Sequence, residues 1–152
     1  MEIIVHRVNT VEKLCQTAPQ YGVEIDVRSE KGHLILHHDP FQPGENLQHW
    51  LSFFRHGTLV LNVKEEGLEQ RLLSVMREHE ISDFFFLDQS FPFLIRTTSA
   101  GESRSAVRVS EHEGLTSAYA LAGKLKWAWI DCFTKFPLNE WQARELKKMA
   151  FN

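Results

Sequence analysis

Short apolar, β-branched runs alternate with amphipathic stretches along the whole chain, and this alternation limits the accessible folds more than any other feature. Residues 2–7 read as a strand and 11–18 as a short helix. Residues 22–28 form a second strand, with Val23, Ile25 and Val27 on one face and Glu24, Asp26 and Arg28 on the other, because side chains alternate across a strand. Lys31-Gly32 turns the chain into an extended run over 33–38, and Pro40, Pro43 and Gly44 mark a loop. Asn46 then caps a helix containing Leu47, Trp50, Leu51, Phe53 and Phe54. Strands are predicted over 58–64, 84–88, 106–110 and 127–133. Helical segments are predicted over 68–79, 91–97 and 115–122, and Asn139 opens a last helix through Ala150.

About six strand-then-helix units argue for an α/β protein with a mainly parallel sheet. Polar residues gather at the C-terminal ends of the strands: His6, Asp26, His38, Lys64, Asp88, Ser110 and Asp131. In a (β/α)8 barrel that rim carries the chemistry, so a TIM-barrel type is the expected fold. The 152 residues, 43% apolar and 24% charged, suit a single domain spanning 1–152. Six units leave such a barrel short of its last two, because the sequence reaches Asn152 where a seventh strand would begin. Truncation, or a second copy covering the open edge in a homo-oligomer, is the expected resolution, since an uncovered edge invites aggregation.

A formal charge of -3 with scattered Lys and Arg disfavours nucleic acid as a partner. No apolar run approaches the roughly 18 residues a spanning helix needs, and MEIIVHR lacks the pattern of a secretory signal, which makes the cytoplasm the expected location. Cys15 and Cys132, in apolar surroundings, are expected to be buried free thiols. The nucleotide-binding glycine loops G-x-G-x-x-G and G-x-x-x-x-G-K-[ST] are absent.

Glu24 and Asp26, two apart on a strand, lie on one face about 7 Å from each other. Two such carboxylates repel unless a cation or basic group stands between them, which suits a divalent ion such as Mg2+ or Ca2+. The alternative for the pair alone is a solvated acidic face. His38 ends an apolar run beside Asp39, where an imidazole can exchange protons near neutral pH. His6 and Arg7 end the first strand, and arginine is a bidentate partner for phosphate. Asn62 and Lys64 repeat the two-residue spacing, offering an amide oxygen for a metal and a point charge for a phosphate. Asp88 and Asp131 end later strands and could line the same rim.

Taken in order, His-Arg, Glu-x-Asp, a short hairpin, His-Asp and Asn-x-Lys resemble the glycerophosphodiester phosphodiesterase family, of the phospholipase C-like phosphodiesterase barrels. The resemblance covers residues 3–40 best, extends to about residue 66, and is architectural beyond. It implies metal-assisted hydrolysis of a small-molecule phosphodiester, with His6 and His38 as general acid and base. It further implies Arg7 and Lys64 on the phosphate, and Glu24 and Asp26 on the metal with Asn62 beside them. The family usually has glycine where this chain has Val8 and a third metal carboxylate where it has Asn62, and only about two dozen residues join Asp39 to Lys64, too few for the usual inserted subdomain. A degenerate, non-catalytic domain that binds a phosphoester or a partner chain is therefore the alternative function, and an unrelated α/β domain with solvated rim charges a third.

Overall fold

Alternating β-branched and acidic residues make Gly22–Glu30 (β2) the longest strand, and the rest of the N-terminal half is arranged on it. The structure is a computed structural model describing residues 2–149 and 151. It divides into two units, Met1–Gln89 and Ser90–Asn152, each with its own apolar cluster.

In the first unit the elements run Ile4–Val5 (β1), Val11–Gln16 (α1), β2, His33–Leu36 (β3), Glu45–Asn46 (β4), Leu47–Leu51 (α2), Leu59–Val63 (β5), Glu69–Glu78 (α3) and Phe84–Leu87 (β6). They build a six-stranded mixed sheet in the order β4-β3-β2-β5-β6, with β1 also paired to β2. β1, β2, β5 and β6 are parallel, whereas β2-β3 and β3-β4 are antiparallel. Lys31 and Gly32 make the β2–β3 turn in the left-handed region, at φ 49 and 82. Val23, Ile25 and Val27 of β2 and Leu59, Leu61 and Val63 of β5 join Trp50, Leu72 and Met76 in the core, and Asn46 caps α2 by accepting the His49 N–H.

The second unit comprises Phe91–Ser99 (α4), Ala106–Val109 (β7), Thr116–Leu121 (α5), Trp127–Ile130 (β8) and Glu140–Lys148 (α6). β7 and β8 form a parallel two-stranded sheet of their own. Asn139 opens α6, as the sequence leads one to expect, and forms a capping box with Gln142; Ala150, the expected helix end, lies outside the described residues.

Two expectations need correction. The fold is a mixed α/β arrangement of six and two strands, and no closed or incomplete parallel (β/α)8 barrel forms among the described residues. Counting strand-helix alternations orders the elements but leaves pairing partners open. Here an antiparallel hairpin, β3-β4, occupies the β2 edge that a purely parallel sheet would give to one strand. The cysteines are free but exposed: on α1 it is the neighbouring Leu14 that is buried, and Cys132 follows β8 onto the surface. No helix among the described residues is long and apolar enough to cross a membrane.

Candidate active site

A strand has two hydrogen-bonding edges, and β5 takes one edge of β2 from Val23 to Val27. β1 and β3 must share the other. β1 pairs with its start, Val5 opposite Val23, and β3 with its end, Val27 opposite Leu36. The strands thus approach from opposite directions and stop on either side of residues 24–26. Loop residues finish the ladder: the Val8 N–H donates to Glu24 O (2.9 Å), the His37 N–H to Asp26 O (3.1 Å), and the Asp26 N–H to Asn9 Oδ1 (2.8 Å). This gap in strand pairing brings His6-Arg7 and His37-His38 together over two acidic residues.

The turn after β1 is tight. Arg7 takes the left-handed conformation, φ 55, and Lys13 Nζ holds the turn by donating to the carbonyls of His6 (2.8 Å) and Arg7 (2.9 Å). Because Arg7 absorbs the positive φ, Val8 needs no glycine-like backbone and is fully buried in the core.

Glu24 and Asp26 are buried, 2% and 0% exposed, which rules out a solvated acidic face. Glu24 Oε2 accepts the Arg7 N–H (2.7 Å), and Glu24 Oε1 accepts Asn62 Nδ2 (2.8 Å) across the β2-β5 pair. Asp26 Oδ2 accepts Asn9 Nδ2 (2.8 Å), and Lys64 Nζ lies 3.4 Å from both Asp26 Oδ1 and Asp88 Oδ2. Two oxygens here, Asp26 Oδ1 and Asn62 Oδ1, are buried without a hydrogen bond, and these residues are register partners. Unbonded buried oxygens are costly unless something electropositive meets them. No three His, Cys, Asp or Glu side chains group as a metal site among the described residues. Glu24, Asp26 and the Asn62 amide are the groups here whose oxygens could serve a hard divalent ion, and both Glu24 oxygens already accept hydrogen bonds.

Above the acids runs a chain of polar contacts. His38 Nε2 stands 3.0 Å from the Arg7 guanidinium, and His38 Nδ1 stands 2.8 Å from Asp39 Oδ1. A guanidinium only donates, so Nε2 is the acceptor, and Nδ1 carries the proton and donates to Asp39. In this tautomer the Nε2 lone pair accepts from Arg7 at the cleft wall. His6 is exposed, with Nδ1 3.8 Å from Glu24 Oε2. Arg7, Asn9, Leu36, His38, Asp39 and Glu45 are among the residues lining a cleft of about 710 Å³.

The hydrogen bond from His38 holds the Asp39 carboxyl below its usual value of 3.8, against desolvation and with lesser help from the charges of His38, His37 and Arg7. A carboxylate with a depressed folded-state pKa stabilises the fold above its unfolded pKa and loses that contribution as pH falls through the lowered value. Denaturation of the native chain and of Asp39→Asn along a pH series should therefore show a stability gap at neutral pH that closes below about pH 3.8. A gap that persists or widens in acid would contradict the His38–Asp39 bond.

Several contributors were not singled out from the sequence as site residues. Asn9 grips Asp26 through both ends of its amide, and Lys13 ties the first turn. Arg28 donates from Nε (3.3 Å) and from one terminal nitrogen (3.0 Å) to the His38 carbonyl, and from the other to the Lys64 carbonyl (3.1 Å), linking the ends of β3 and β5. Glu45 Oε2 accepts the Val11 N–H at the start of α1. Asp88, in a left-handed conformation at φ 61, does meet Lys64. Asp131 belongs to the second unit, where it accepts Trp129 Nε1 and pairs with Arg108. No protein-family model matches the chain, and no curated protein matches it either.

Proposed function

We propose that the first unit binds a small phosphodiester in the cleft and hydrolyses it by general acid-base catalysis. The observation that carries this reading is the Asp39–His38–Arg7 chain, a base with a fixed tautomer bonded to a phosphate-binding cation. Arg7 turns its donors from His38 to the phosphate as substrate arrives, which releases Nε2 to take a proton from the water that attacks phosphorus. Asp39 holds the ring and stabilises the imidazolium that forms, a division of labour familiar from hydrolase triads. His6, whose imidazolium would be compensated by Glu24, protonates the departing alkoxide. Lys64, drawn between Asp26 and Asp88, adds positive charge beside the phosphate.

Glu24, Asp26 and Asn62 would hold a divalent cation, Mg2+ or Ca2+, which when bound supplies charge neutralisation at the phosphodiester. Support for that ion comes from the unbonded oxygen of Asn62, since that of Asp26 already faces Lys64 Nζ at 3.4 Å. A specific contact favours a second reading, binding without turnover: Asn62 presents an amide N–H to Glu24 Oε1 where the resembling family carries a third carboxylate.

Release of nitrophenol from bis-p-nitrophenyl phosphate, with Mg2+, Ca2+ or chelator present, separates the two. Cation-dependent release is the expected result. A cation-dependent rise in Tm without release selects the binding domain, and neither response removes both readings.

A further inference from the structure

We propose that Lys13 is a positioning residue for the phosphate site, an internal cation that fixes the backbone of Arg7 so that its N–H meets Glu24 while its guanidinium meets His38. The catalytic half of this statement rests on the proposed function; the conformational half does not.

Arg7 is held in the left-handed region at φ 55, a conformation that a long side chain disfavours. Asparagine and aspartate reach this region by bonding their own side chains to the local backbone, but the Arg7 side chain is committed to His38 Nε2, at 3.0 Å. The conformation is therefore held from outside the residue. Rotation about the two bonds at the Arg7 Cα sets how its flanking peptide groups lie relative to one another. Each of those groups is gripped at both ends. In the first, the His6 carbonyl accepts from Lys13 Nζ (2.8 Å) and the Arg7 N–H donates to Glu24 Oε2 (2.7 Å). In the second, the Arg7 carbonyl accepts from the same Lys13 Nζ (2.9 Å) and the Val8 N–H donates to the Glu24 carbonyl (2.9 Å). Lys13 thus closes from the carbonyl side a clamp that Glu24 closes from the N–H side.

The two jaws differ in their setting. Glu24 is buried, whereas Lys13 is exposed on α1, where Leu14 is the buried residue. Thr10 caps that helix by accepting the Lys13 N–H (3.1 Å), so the backbone at position 13 is anchored and its side chain alone reaches over the turn. Lys13 lies outside the cleft lining, to which Arg7 and His38 belong, so it acts on a ligand through Arg7. Its two bonds are charge-assisted, and both are spent on the two peptide groups that define φ and ψ at Arg7. Without them these carbonyls lose their common partner and Arg7 relaxes to negative φ. That rotation turns the Arg7 N–H from Glu24 and carries the guanidinium from His38. A surface ammonium bonded to carbonyls contributes modestly to folding, but the placement of Arg7 depends on it.

Lys13→Met in the full chain keeps the stem and removes every donor. It should lower kcat/KM on bis-p-nitrophenyl phosphate on the order of 100-fold, the scale of a misplaced group, with the thermal midpoint little changed. Lys13→Arg, whose guanidinium offers a donor to each carbonyl, should restore most of the rate. Propylammonium, which replaces the atoms lost in Lys13→Ala, should rescue that variant, and tetramethylammonium, a cation without a donor, should not. The conformational half is read without turnover, from the nitrogen NMR resonance of His38 Nε2. It should move toward that of an unbonded ring nitrogen in Lys13→Met and stay in place in Lys13→Arg. An unmoved resonance in Lys13→Met overturns the proposal, as does a loss of rate that neither Lys13→Arg nor propylammonium restores. A collapse of the thermal midpoint in Lys13→Met would do the same, because Lys13 would then serve the fold. If the resonance moves as expected but the native chain cleaves no diester, the clamp stands and the catalytic reading falls.

Discussion

Replacing His38 with alanine should lower turnover of a phosphodiester by on the order of 10²–10⁴-fold, the usual worth of a positioned acid-base group, while leaving the fold intact. The two halves of this expectation have different causes. The ring is partly exposed, with 39% of its side chain accessible, and both its partners, Arg7 and Asp39, can turn to water when it is lost. Its loss removes the hydrogen bond to Asp39, so the unfolding midpoint should fall only by about as much as Asp39→Asn lowers it. On the proposed reading catalysis has no such substitute, because His38 is the imidazole that accepts from Arg7. A nitrophenyl diester, whose leaving group needs little protonation, and an alkyl diester, whose leaving group needs much, divide the roles of the two histidines. His38→Ala should slow both equally, whereas His6→Ala should slow the alkyl ester far more. Near-native rates for His38→Ala on both would end the assignment of that residue as the base.

The motif residues of the first forty positions could be read from the sequence because strand periodicity fixes which side chains share a face. Glu24 and Asp26 had to lie together once β2 was recognised, and His6, Arg7 and His38 had to stand at strand ends. Burial was not legible in the same way. The alternation of β2 suggested one wet face, yet residues 22–27 are all buried. Whether a second face is covered depends on elements far away in the chain. Pairing was equally hidden: nothing local says that β1 ends after two paired residues and that β3 takes over the same edge of β2. That handover leaves the gap beside which His6-Arg7 and His37-His38 end their strands. It also accounts for Asn9 and Arg28, which hold backbone groups that an unbroken ladder would have satisfied. Position 8 shows the reverse case, in which the sequence suggested a constraint that the backbone evades by placing the positive φ at Arg7.

Asn62→Asp should destabilise the chain by about 3–5 kcal/mol in chelator, the scale of an uncompensated buried charge, and millimolar Ca2+ should return much of that loss. Asn62 is 7% exposed, and its Nδ2 donates to Glu24 Oε1 at 2.8 Å. The substitution keeps the shape but turns a donor into a charged acceptor at that distance from a second carboxylate. The cationic partner within reach of Glu24 is the exposed His6, 3.8 Å from its other oxygen, because Lys64 already stands between Asp26 and Asp88. A divalent ion bound by three carboxylates in place of two relieves the repulsion and stabilises the folded state by its own mass action, about 2.7 kcal/mol at a concentration one hundred times its dissociation constant. The native chain, with the amide in place, should show a smaller rise in midpoint on adding Ca2+. Asn62→Ala distinguishes lost hydrogen bonding from added charge: it should cost less than Asn62→Asp in chelator and gain nothing from the ion. Equal stability of Asn62→Asp and the native chain in chelator would mean that position 62 does not face Glu24 in a dry site. A loss that Ca2+ leaves unchanged would mean that these oxygens do not form a cation site.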